Sequence, residues 1–220
     1  MILQDIISLS YSDYVQLLLN KYGPATCDYF INEQCRSKSS KISRTYEGLF
    51  CHHIDEDKEI LLSTPEVARQ HPFDYQKKDR LVYCNLIEHL LLHIKIVEEN
   101  YKTKPHLGVG GIHMISSQIN GYFANPPEEG WNHNAYNAIK DQYAYYISVL
   151  AYGVEVLNQA DDIFGYQEIQ LCLDFQGNPV SKILADVQNA TKHIIKPKRL
   201  YVGDKVIASK IGESTIIAIL

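Results

Sequence analysis

Residues 80–96, RLVYCNLIEHLLLHIKI, are apolar enough to be buried on a broad face, yet they carry His89 and His93. Apolar side chains recur at Leu86, Leu90, Ile94 and Val97, which is the period of a helix spanning residues 85 to about 100. On a helix, residues four apart stand one turn above each other on the same face. The two imidazoles therefore have metal-ligand spacing. A second pair, His52-His53, lies upstream, after the strand-like Gly48-Leu49-Phe50-Cys51 and before the polar Asp55-Glu56-Asp57-Lys58. Strand, loop and helix can bring three imidazoles to one ion and leave a fourth beside it. The acidic run could add an oxygen ligand but reads first as a solvated turn.

The rest of the composition narrows the class. With 220 residues, 45% hydrophobic and 21% charged, the chain can build an ordinary globular core. A net charge of -5 argues against nucleic-acid binding by bulk basicity but leaves room for a local patch. The cysteines, Cys27, Cys35, Cys51, Cys84 and Cys172, are odd in number and lack a CxxC pair, which excludes a disulfide framework and a four-cysteine zinc site. Cys51 and Cys84 read as small buried residues in apolar strands. The N-terminus lacks a basic signal region and no long charge-free apolar window occurs, so the expectation is a cytoplasmic protein with no membrane partner.

Along the chain, Ser10 to Asp13 supply caps for a short helix that Gly23-Pro24 ends. Residues 26–45 turn basic, with Arg36, Lys38, Lys41 and Arg44, and lead directly into the histidine pair. Residues 59–62 are expected as a second strand, making a hairpin with the first, and Ser63-Thr64-Pro65 opens a short helix. Lys77, Lys78 and Arg80 precede Leu81-Val82-Tyr83. Gly108, Gly110 and Gly111 fit neither a dinucleotide fingerprint nor a P-loop and read as a flexible linker. Helices are expected over residues 112–123, 134–159 and 182–192, and strands over 168–175 and 200–220, with a second basic patch over 192–210. His71, His106, His113, His133 and His193 show no partner spacing.

The order His52-His53, Arg80-Leu81-Val82-Tyr83-Cys84, His89-x-x-x-His93 resembles the HNH, or ββα-metal, endonucleases and their colicin-type histidine-rich arrangement. The resemblance covers about a quarter of the chain. It implies a ββα-metal unit over residues 41–98 and says nothing of the remainder; with the helical and strand segments read above, the expected fold is α+β, that unit embedded in a largely helical domain. Residues 1–40 would form an N-terminal helix and basic loop. Residues 99–220 would be a helical and strand region that sets substrate, partners or a homo-oligomeric state. It further implies His52, His89 and His93 as metal ligands and His53 as the general base. One divalent ion, Mg, Mn, Zn or Ni, would serve as cofactor. Lys41, Arg44, Lys77, Lys78 and Arg80 would be phosphate contacts, with double-stranded DNA as partner. Hydrolysis would leave 5′-phosphate and 3′-hydroxyl ends. Arg80 stands where many members carry an asparagine that braces the loop beneath the base, and Phe50 where a glutamate is frequent.

Two other functions fit the same residues. In one, a structural zinc staples an inactive binding module, which requires a fourth protein ligand. In the other, an unrelated metal-dependent hydrolase acts on small phosphoesters.

Overall fold

The computed structural model describes residues 3–164 and 181–191. In order they form α1 (Leu3–Ile7), α2 (Tyr11–Tyr22), β1 (Phe50–His53), α3 (Pro65–Ala68), β2 (Leu81–Cys84) and α4 (Leu86–Asn100). Next come α5 (Val109–Ala124), α6 (Gly130–Asn137), α7 (Tyr143–Phe164) and α8 (Ser181–Thr191). The class is α+β, mostly helical, with one two-stranded antiparallel sheet among the described residues.

Helix α4 forms because its start is satisfied and its surface is apolar. Asn85 accepts from the Glu88 amide at 3.0 Å while the Glu88 carboxylate accepts from the Asn85 amide at 2.8 Å, a reciprocal capping box. From Leu86 to Glu98 every residue except His89 is buried. A helix buried all round belongs at the centre of a bundle, and α2, α5 and α7 pack against it. Burial of each Leu, Ile or Val contributes about 1.5–3 kcal/mol, so packing rather than propensity holds α4. The cluster around it draws on residues from Ile6 to Val187. The three expected segments therefore share one core.

The sheet is a two-faced spacer between that core and a smaller one. β1 and β2 pair antiparallel with Cys51 opposite Tyr83 and His52 opposite Val82. Alternate side chains point to opposite faces. Val82 and Cys84 accordingly enter the large cluster, whereas Leu81 and Tyr83 join Tyr29, Phe30, Ile42 and Leu49 in the small one.

Four expectations are corrected. Residues 59–62 are not the second strand; Leu61 takes a left-handed φ of 58°, which interrupts extended backbone, and β2 is the partner of β1. Residues 108–111 are not a linker, because Gly108 caps α5 and the helix begins at Val109. The tyrosine-rich stretch is two helices, α6 and α7, separated by a single 3-10 turn at Lys140–Gln142. Ile54–Asp57 is a 3-10 turn with Asp55 fully buried, not a solvated loop. The expected strands at 168–175 and 200–220, the basic patch at 192–210, Cys172 and His193 lie outside the described residues. Among the described residues no helix is long and apolar enough to cross a membrane.

Candidate metal centre

Alternation along β1 sends His52 toward α4 and His53 to the other face. His89 and His93, one turn apart on α4, meet His52 there: one ring nitrogen from each of the three lies within 4.8 Å of the others. The Nε2 atoms of His89 and His93 are 3.3 Å apart. Glu56 arrives from the 3-10 turn, its Oε2 3.5 Å from His52 Nδ1 and 3.5 Å from His93 Nε2. Bonds of about 2.05 Å in a tetrahedron set neighbouring donors about 3.3 Å apart, so the His89–His93 separation of 3.3 Å and the two Glu56 separations of 3.5 Å fit a zinc-like ion. The ring-nitrogen donors are ready to bind, since burial lowers His52 and His89 well below the ordinary histidine range and pushes His93 down to about 4. Neutral imidazoles keep their lone pairs. Burial pushes Glu56 up to about 7, and a cation would relieve it.

Two neighbours orient the rings. Tyr11 Oη donates its one hydrogen to the Ile54 carbonyl at 2.9 Å and lies 2.9 Å from His52 Nε2, so His52 must donate through Nε2. Its lone pair is thereby on Nδ1, a buried atom with no hydrogen-bond partner that faces Glu56. A ligand side chain held by such an outer contact is typical of metal sites. Gly111 of α5 sits flat against His93: a Cβ there would fall 2.2 Å from Nδ1 and 2.3 Å from Cε1.

His53 stands outside the donor cluster. Its Nε2 is 2.8 Å from Gln76 Oε1, and Gln76 Nε2 donates to the Leu62 carbonyl at 3.1 Å. A carbonyl can only accept, which fixes the amide orientation and makes His53 Nε2 the donor. The free lone pair is on Nδ1. Burial pushes His53 down to about 4 against the raising effect of the Gln76 hydrogen bond, so it is neutral at pH 7. Both histidine groups line one cavity of about 480 Å³.

Of the five expected phosphate contacts, Arg44 lines this cavity, and Arg44, Arg80 and Lys77 are each held by a carboxylate of the chain. Arg44 is locked to Glu47 at 2.6 and 2.5 Å, donates to the Tyr22 carbonyl and covers the Tyr83 ring. Arg80 chelates Asp55 at 2.6 and 2.5 Å, with Lys58 on the same carboxylate, and Lys77 pairs with Asp74 at 2.8 Å. Lys41 and Lys78 are exposed. The cations on the cavity wall are Arg44 and Lys38.

Sequence reasoning misses Tyr11, Gln76 and Gly111. Glu56 belongs to the acidic run that could add an oxygen ligand, and its spacing of four from His52 is the signal that singles it out. Cys51 and Cys84 remain bystanders, with burial pushing Cys51 up to about 12 and Cys84 well above its ordinary value. No family model matches the chain, and no curated protein or solved structure is significantly similar to it.

Proposed function

We propose that the chain is a metal-dependent endonuclease of the HNH type that hydrolyses phosphodiester bonds of nucleic acid, DNA before RNA. The observation that carries this is the convergence of one strand histidine and two helix histidines on a cavity that His53 also lines. The order of elements, a strand with the histidine pair, an antiparallel strand and then the helix, supports a ββα-metal unit. His52, His89 and His93 would hold one divalent ion, Mg, Mn, Zn or Ni.

That ion would supply positive charge to the phosphoryl oxygens and the leaving oxygen. His53 Nδ1 takes the proton of the attacking water as the new O–P bond forms and the bond to the 3′-oxygen breaks. Gln76 keeps that nitrogen unprotonated by holding the hydrogen on Nε2. A base near 4 is always available at neutral pH but is weak; a phosphate anion drawn beside it raises its proton affinity.

The test is cleavage of plasmid and oligonucleotide DNA with Mg²⁺, Mn²⁺, Zn²⁺, Ni²⁺ or EDTA, beside His53→Ala and His89→Ala. Metal-dependent cutting lost in both variants, with bound metal lost only in His89→Ala, is the expected result. Cutting by His53→Ala at the parental rate refutes the role of His53.

Glu56 favours a second reading, a structural zinc closed by four protein donors. In that case no metal supports cutting, one ion co-purifies, and chelation unfolds the protein.

A further inference from the structure

The walls of the cavity differ from what a duplex-binding surface requires. Six large hydrophobic side chains stand exposed among the described residues, and three of them, Ile60 at 42%, Leu61 at 52% and Met114 at 72%, rim this cavity. Leu61 is held there with a left-handed φ of 58°, an unfavourable conformation for a branched side chain and of the kind found where a binding surface dictates the backbone. An aromatic series leads outward from the donor cluster. The Phe50 ring stacks on His89 at 6.2 Å and meets Trp131 edge-on at 6.2 Å, and Trp131 is itself half exposed.

Positive charge on the cavity wall comes from Arg44 and Lys38. Arg44, Arg80 and Lys77 are each bound to a carboxylate of the chain, and the net charge is -5. On the cavity wall Lys38 lies over Tyr29, its Nζ 4.5 Å from the ring centroid. Duplex binding draws most of its affinity from many phosphate contacts by free cations along a continuous surface. A single strand needs fewer, because exposed bases stack on aromatic and apolar side chains. At about 480 Å³ the cavity has the size of a small-ligand site and the volume to take one nucleotide.

From these observations we infer that the site takes an unpaired nucleotide, with its phosphate at the donor cluster and its base against Phe50, Met114, Ile60 and Leu61; this rests on the nuclease function proposed above and narrows its substrate to single-stranded or extrahelical nucleic acid. Lys38 meets the charge of the phosphate. The base is gripped by the apolar side of the rim, so selection is by strandedness rather than by sequence.

The deciding experiment measures binding apart from cutting. A short fluorescein-labelled phosphorothioate strand, which resists hydrolysis, and the same strand in a blunt duplex are titrated with the full chain, following anisotropy and the emission of Trp131, the single tryptophan. The single strand is expected to bind at least about tenfold more tightly than the duplex and to change the tryptophan emission. Met114→Ser and Ile60→Ser, both at exposed positions, should each weaken single-strand binding about tenfold without changing metal content. If one variant fails to fold, the other carries the test. Equal or tighter duplex binding, no binding at all, or unchanged affinity in a folded variant overturns the inference. The same variants assayed for cutting of unmodified DNA separate the two claims. Equal cutting of single strand and duplex, insensitive to Met114, refutes the nucleotide cavity and leaves the nuclease. Met114-dependent single-strand binding with no cutting under any metal refutes the nuclease and leaves the cavity.

Discussion

Two adjacent glycines on one helix provide an internal comparison. At Gly110 an added Cβ meets nothing within 4 Å, whereas at Gly111 it would lie 2.2 Å from His93 Nδ1 and 2.4 Å from Cγ. Both residues lie in the first turn of α5, so replacement by alanine brings each a similar propensity gain, at most about 0.8–1 kcal/mol. For Gly110→Ala that gain is the whole effect. For Gly111→Ala the methyl and the imidazole cannot occupy the same space, and His93 sits on α4, whose neighbours Leu92 and Ile94 are fully buried. Neither helix can retreat cheaply. Overpacking of this kind costs about 1–3 kcal/mol, and the contact is close enough to place it at the upper end. Net destabilisation of about 2 kcal/mol is therefore expected, roughly 3 kcal/mol below Gly110→Ala. Displacing His93 should also weaken metal binding by about 10–100-fold, as for loss of an orienting neighbour. Urea unfolding of both variants with and without metal, with zinc affinity by competition against a chromophoric chelator, measures both quantities. Equal stability of the two variants with parental metal affinity would refute the close packing of α5 on the ligand helix.

Tyr11→Phe removes the acceptor that holds His52 in its metal-binding tautomer and the donor to the Ile54 carbonyl; zinc affinity should fall about 10–100-fold, and urea unfolding should show a loss of about 1–3 kcal/mol. Gln76→Ala frees His53 to place its hydrogen on either nitrogen; cutting should slow while bound metal, read by elemental analysis, stays at the parental level. Arg80→Ala leaves the buried Asp55 with Lys58 alone and should destabilise the fold by about 3 kcal/mol in chemical denaturation, the low end for breaking a buried pair. Asp55 itself predicts an acid dependence. Burial pushes its carboxyl up, but Arg80 and Lys58 outweigh that and hold it below the ordinary aspartate value. Its contribution is then complete above the unfolded-state value of about 3.9 and lost as pH falls through the lower folded value, a loss that Arg80→Ala should diminish in acid denaturation.

The Asp55–Arg80 pair also explains how the acidic turn serves the site. Neutralised by Arg80 and Lys58, Asp55 anchors the 3-10 turn in the interior, and the next residue, Glu56, is thereby aimed at the histidines. Arg80 thus braces the acidic turn, while Gln76 holds His53 directly.

What the sequence by itself determined is local. The apolar period and the Asn85 cap define α4, the spacing of four places His89 and His93 on one face, and alternation along β1 separates His52 from His53. Each depends only on backbone periodicity. The tertiary structure decided which segments meet. Residues 59–62 and 81–84 are both apolar and strand-like in sequence, and only the backbone turn at Leu61 and the fit of Val82 and Cys84 to the large core select β2 as the partner. Gly108 and Gly111 look like a linker until α5 is laid against His93, because a glycine that permits close approach is indistinguishable in sequence from one that permits flexibility. In sequence Glu56 is one of three carboxylates that could reach an ion or simply face water, as acidic residues usually do. Its packing against His52 and His93 singles it out, and packing is a property of the whole folded chain. The cations Arg44, Lys77 and Arg80 looked available for phosphate for the same reason in reverse, since carboxylates that neutralise them are identified only once the chain has folded.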